Sequence, residues 1–244
     1  MKKKDYIDFE FIKEIAEDTI EDIGMDSFPI DVFKLAELLK IPLIKYSEFP
    51  LKERKILLKK SEDGFSFPTE SGYVIHYNDS QHATRQRFTI LHEIGHIQLE
   101  HHGDSSKSEE QKEQEANYFA RCLIAPLAII HLIGVRSPQD IAEIFKISWD
   151  CAECIFQTYL KIYQNEEILV KLSNDRMLKL LTKYDVVLTE LAKKSYLSEP
   201  MIRTIHLFYN FSETEEFSTY LYGDENEAKK RIYLSKISCR IQCE

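Results

Sequence analysis

Glycine and proline are scarce, with seven of each in 244 residues. That scarcity excludes a collagen-like or Pro/Gly-rich low-complexity chain. Together with abundant Leu, Ile, Lys and Glu it favours a mostly helical protein. There are only five cysteines, an odd number in a fairly large chain, so free thiols in a reducing compartment fit better than a disulfide framework. Positive charge is in deficit, and a net charge of −9 argues against a protein that coats nucleic acid, although it allows a local basic surface. No apolar run approaches the length of a membrane span. The opening lysines Lys2, Lys3 and Lys4 are not followed by an apolar signal region. The expectation is a cytoplasmic globular protein with one or two domains and room for a substantial core.

What the sequence does contain is centred on His92-Glu93-Ile94-Gly95-His96, an HExxH pattern. Two histidines four apart share one face of a helix and can reach one metal ion. Glu93 then lies beside that ion, placed to act as a base on a water held there. Phe88, Leu91, Gly95 and Leu99 share the histidine face, and Ile90, Ile94 and Ile97 fall opposite. A helix apolar on two sides is a buried one, and buried histidines need partners.

The chain before this helix reads as two helices and three strands. Ile7, Phe11, Ile15 and Ile20 mark an amphipathic helix over residues 5–22. Asp31 is a plausible N-cap for a helix through Val32, Leu35, Ala36, Leu38 and Leu39. Residues 41–46 and 55–60 read as strands, 61–72 as a turn-rich loop, and 73–78 as a third strand. The strand before an HExxH helix can be the sheet edge on which a substrate backbone is laid, with Tyr73, Ile75 and Tyr77 as binding residues, or simply a core strand.

Residues 101–111 read as a polar surface loop leading into a helix over 109–124, where a third metal ligand is to be sought. Glu113 shares its helical face with Ala116, Asn117, Ala120 and Ile124. Glu115 lies opposite, near Phe119 and Cys122. Small residues allow helices to approach closely, and Gly95 offers a matching small surface. This argument selects Glu113 as the ligand and leaves Glu115 as a solvated carboxylate. Asn117, one turn on, can orient a ligand imidazole.

These segments resemble the ImmA/IrrE family of zinc metallopeptidases. The resemblance rests on Phe28-Pro29-Ile30-Asp31, on Gly72-Tyr73-Val74-Ile75, and above all on Arg85 through His96 and Glu113 through Pro126. It covers roughly residues 5–165 and departs from the family at Cys122-Leu123-Ile124-Ala125-Pro126, a difference of packing. It implies a zincin-like α+β core, predominantly helical with a small three-stranded sheet. One zinc ion would be held by His92, His96 and Glu113, with Glu93 as general base. Family members typically cut a helix-turn-helix repressor to switch gene expression. Tyr118, Arg121, His76 and His131 are the candidates for a second oxyanion donor.

Beyond the core, residues 138–163 have a helix-turn-helix-like pattern but read better as a helical hairpin closing the peptidase domain, with Trp149 packed inside it. The polar run 165–175 suggests a boundary, giving a peptidase domain over 1–165 and a helical C-terminal extension over 166–244. Residues 187–205 again suggest a helix-turn-helix. Glu199 and Pro200 would open the recognition helix, which makes direct DNA binding unfavourable. A sensor, a partner-docking module or a plain extension fits better. Cys151/Cys154 and Cys239/Cys243 lack the turn residues of a second zinc site. The rival functions are a zinc-stabilised transcription regulator that cleaves nothing and a scaffold that sequesters a partner. The intact Glu93 favours cleavage.

Overall fold

The computed structural model describes residues 7–24, 29–133, 135–163 and 176. All of them belong to the first of two compact units, Met1–Leu181. The boundary run 165–175, the helix-turn-helix-like segment 187–205, the tail and the Cys239/Cys243 pair lie outside the described residues.

Helix α1 runs Phe9–Ile23, capped by Asp8 and closed by Gly24 in the left-handed conformation. Helix α2 is Val32–Leu38, and Asp31 caps it as its sequence position implies, accepting from Phe33 N and Lys34 N at 3.0 and 3.2 Å. Strand β1 is Leu43–Lys45. Residues 55–60 are not a strand: they belong to helix α3, Leu51–Lys60. The apolar triplet Ile56-Leu57-Leu58 is too short to set a period, so end signals decide. Pro50 stands at the N-cap, and Glu53 in the first turn and Lys59 and Lys60 in the last carry charges suited to the helix dipole.

The stretch read as a loop contains strand β2, Gly64–Thr69, which turns through Glu70 and Ser71 into strand β3, Gly72–Tyr77. The sheet order is β1-β3-β2, with β1 parallel and β2 antiparallel to β3. Strand β3 is therefore central and paired on both sides. Ile75 and Tyr77 are paired on both sides and buried, so they offer no free edge to a substrate backbone, while Tyr73 pairs with Pro68 of β2. The free edge beside the HExxH helix is β2.

Helix α4, Ala83–Gln98, lies on β2 and β3 and packs most extensively on α5, Glu109–Ile124. Helix α1 also packs on α5. The core between them is Ile12, Ala16 and Ile20 from α1, Ile90, Leu91 and Ile94 from α4, and Ala116, Phe119, Ala120 and Leu123 from α5, all almost fully buried. Two close approaches need glycine. A Cβ on Gly64 would stand 2.7 Å from Thr89 Cγ2 and 2.8 Å from His76 O, so β2 can lie this tightly on α4 only without one. Gly95 plays the same part at the crossing of α4 and α5.

After the short helix α6, Leu127–Ile133, helices α7, Pro138–Phe145, and α8, Trp149–Tyr163, form the expected hairpin. Ser137 and Asp140 make a reciprocal cap at its start. Trp149 is not packed inside it: at the first position of α8 it is 52% exposed. The architecture is α+β, mostly helical with one small mixed sheet.

Candidate metal centre

Helix α4 presents His92, Glu93 and His96 to a cleft of about 810 Å³ between β2, α5 and the start of α8. Its first turn is anchored where Arg85 grips Asp63 with two bonds of 2.5 and 2.6 Å, just ahead of β2. His92 Nε2 and His96 Nε2 lie 3.0 Å apart. Glu113, reaching over from α5, places one oxygen 3.2 Å from His92 Nε2 and the other 3.3 Å from His96 Nε2. The three side chains are the group among the described residues that could hold a metal ion. Donor atoms on a tetrahedral zinc at about 2.0–2.1 Å would sit about 3.3 Å from one another, so this spacing and this N/N/O donor set fit one face of such a centre.

Burial opposes charge on His92, but Glu113, Glu93 and Asn117 together raise its pKa above the ordinary value. Glu113 is held well below the usual carboxylate range by hydrogen bonds from His92 and His96. The cleft thus keeps a carboxylate charged beside two imidazoles, which is what a divalent cation needs.

Asn117 Oδ1 lies 3.1 Å from His92 Nδ1 and can fix that ring. Glu93 is 7% exposed, and its Oε2 accepts from the Ser66 backbone N–H at 2.6 Å and from the Ser66 hydroxyl at 2.7 Å. The Ser66 hydroxyl in turn accepts from His102 Nε2 at 2.9 Å, and Tyr73 packs at a tilt on His102 with ring centres 5.0 Å apart. Strand β2 therefore holds the carboxylate of Glu93 at the cleft floor.

Glu115 is not the solvated carboxylate its helical position suggested. It is 3% exposed and meets His101 Nε2 at 3.0 Å and Lys107 Nζ at 2.7 Å. The loop after α4 folds back over α5 and buries it. His101, Ser66 and His102 are the site residues that the sequence did not reveal. Helical periodicity does not reach across a loop, but the neighbours of Glu115 on its face include the fully buried Phe119. None of the four oxyanion candidates lines the cleft. His76 lies between Phe65 and Phe49. Tyr118 packs on Phe9, Arg121 turns to Asn117 O and Cys154, and His131 meets Tyr159. Cys151 does line the cleft, its thiol pushed up to about 11 by burial.

The profile of the IrrE N-terminal-like domain, Peptidase M78, matches residues 30–153, from α2 through the start of α8. The chain belongs to the M78 peptidase family. The match takes in α4 and α5, and so every residue of the cluster. No curated protein matches the chain. M78 membership makes it a peptidase of a metal-dependent kind, and no helix among the described residues is long and apolar enough to cross a membrane.

Proposed function

We propose that the chain is a cytoplasmic zinc endopeptidase that cleaves a regulatory protein such as a helix-turn-helix repressor, and so switches gene expression. The observation that carries the chemistry is the convergence of His92, His96 and Glu113 at 3.0–3.3 Å, with Glu93 next to the first ligand and open to the same cleft. His92, His96 and Glu113 would hold the ion, and Asn117 orients His92. An ion bound there would supply Lewis acidity. Glu93 would take a proton from the attacking water and return it to the leaving amine, while Ser66 keeps its carboxylate aimed. A substrate backbone is aligned along β2, the free edge that borders the cleft. The repressor as substrate rests on the family resemblance, and the acidic chain charge of −9 agrees with a protein rather than DNA as the target.

The test is incubation of the zinc-loaded chain with the helix-turn-helix protein encoded beside it, with and without chelator, and with Glu93→Gln in parallel. One defined cut is expected, lost on chelation and lost in Glu93→Gln while zinc stays bound. Cleavage persisting in Glu93→Gln overturns the base. No cut of that protein in the wild type, with general peptide hydrolysis intact, overturns the substrate. No hydrolysis at all favours a regulator or scaffold that binds without cutting.

A further inference from the structure

His101 and Glu115 take no part in the chemistry above, yet each is only 3% exposed. Both are drawn in by the way α4 ends. Leu99 caps the helix, and Glu100 turns left-handed at φ 55°, a conformation that non-glycine residues seldom adopt. That turn lets the His101 N–H bond back to His96 O at 2.9 Å and carries the His101 ring under His96. His101 Nδ1 then lies 3.0 Å from His96 Nδ1, and His101 Nε2 lies 3.0 Å from Glu115 Oε2. Lys107 donates to the same Glu115 oxygen at 2.7 Å, and Gln111 Nε2 reaches the other at 3.4 Å.

Two imidazole nitrogens share a hydrogen bond only when one carries the proton and the other does not. A metal held by His96 Nε2 uses the lone pair of that nitrogen, so the ring carries its hydrogen on Nδ1. His101 Nδ1 must then be the acceptor. The hydrogen of His101 is thereby placed on Nε2, which points at Glu115, a group that only accepts and that Lys107 pins in place. Each assignment forces the next, and the chain of donors runs one way from the ligand to the buried carboxylate. His92 has a shorter arrangement, a single step to Asn117 Oδ1.

We infer that His101 and Glu115 form a buried relay that fixes the tautomer and ring plane of His96 for metal binding. They are positioning residues, two steps removed from the reacting atoms, and the inference rests on the zinc-site reading above. Loss of an outer partner of a metal-binding histidine typically weakens the metal by about 10–100-fold.

The experiment measures zinc affinity by competition with a chelator for the full-length wild type, His101→Phe and His101→Asn, with melting of each metal-free protein as a control. The Oδ1 of asparagine stands where Nδ1 stood and can accept from His96, whereas phenylalanine fills the space without accepting. His101→Phe should lose about 10–100-fold in zinc affinity and His101→Asn should recover most of it. A merely space-filling role predicts the reverse order. In the zinc-loaded wild type, long-range proton–nitrogen NMR should find hydrogen on His96 Nδ1 and on His101 Nε2, and this spectrum decides the matter if His101→Phe does not fold. Wild-type affinity in folded His101→Phe, or hydrogen on His101 Nδ1, overturns the relay while the zinc site stands. A wild type that binds no zinc overturns both.

Discussion

Adding one methyl group at Gly95 is the sharpest test of how the two ligand-bearing helices are held. A Cβ there would stand 3.1 Å from Phe119 Cδ1 and 3.2 Å from both Cα and O of Ala116. Neither neighbour can yield cheaply, since two of the three atoms are the backbone of α5 and the Phe119 ring is fully buried. Two terms compete in Gly95→Ala. Helix propensity gains about 1 kcal/mol for replacing a mid-helix glycine. Overpacking a filled interface costs about 1–3 kcal/mol, and here it also pushes α5 away from α4. The net is a loss of about 1 kcal/mol, or about 2–4 °C in Tm for a chain of this size. Because His92 and His96 ride on α4 and Glu113 on α5, a shift of a few tenths of an ångström also exceeds the roughly 0.2 Å tolerance of metal–ligand distances. The metal-free variant should therefore melt lower, and the zinc titration should show weaker binding as well. A Tm raised by propensity alone, with zinc affinity unchanged, would refute the close-packed crossing.

Three further outcomes are expected. Ser66→Ala removes one charge-assisted bond to Glu93 worth about 1.5–3 kcal/mol and leaves the backbone bond, so kcat should fall by at least about tenfold with KM little changed; an unaltered kcat would show that β2 does not aim the base. Chelation should lower the Tm, by the equivalent of about 2.7 kcal/mol for zinc at a hundred times its Kd, and Glu113→Ala should abolish the difference between zinc-loaded and chelated melts; a chelation effect that survives the substitution would remove Glu113 from the site. His76→Phe should stabilise the chain, because His76 Nδ1 is buried without a hydrogen-bond partner among the described residues, stacked on Phe65 at 5.2 Å. Burial and then Lys60 lower the His76 pKa, so the folded state resists its protonation. Its contribution is intact above the unfolded value of about 6.5 and is lost as pH falls through the folded one, so the phenylalanine variant should lose less stability between pH 7 and 5, read as Tm against pH.

The parts of the fold that are local in sequence were legible there. Helix α4 follows from its periodicity, α2 from its Asp31 cap, and the choice of Glu113 over Glu115 as the carboxylate facing the histidines from the small residues on one side of α5. What escaped depended on contacts between distant segments. Strand β2 hid among turn residues although Phe65 and Phe67 alternate with Ser66 and Pro68. Helix α3 buries no residue and is formed by its end signals, so its apolar triplet misled as a strand. Strand β3 was found, but its central place depends on β2. The burial of Glu115 depends on a left-handed residue at Glu100, which no composition rule marks.

The free side of β2 has a further property. Asn78 N–H bonds to Asp63 O at 2.7 Å, and in the alternation of an antiparallel pair Gly64, Ser66 and Pro68 then direct their backbone groups away from β3. The Gly64 N–H is taken by Ser61 Oγ, the Ser66 N–H by Glu93, and Pro68 has none. Every donor along that rim is silenced, while the carbonyls of Gly64, Ser66 and Pro68 face outward. Such a rim does not zip onto a stray strand from another molecule, which is the hazard of exposed sheet edges. A peptide laid along it would be held by its own N–H groups donating to those carbonyls, leaving the Ser66 N–H on Glu93.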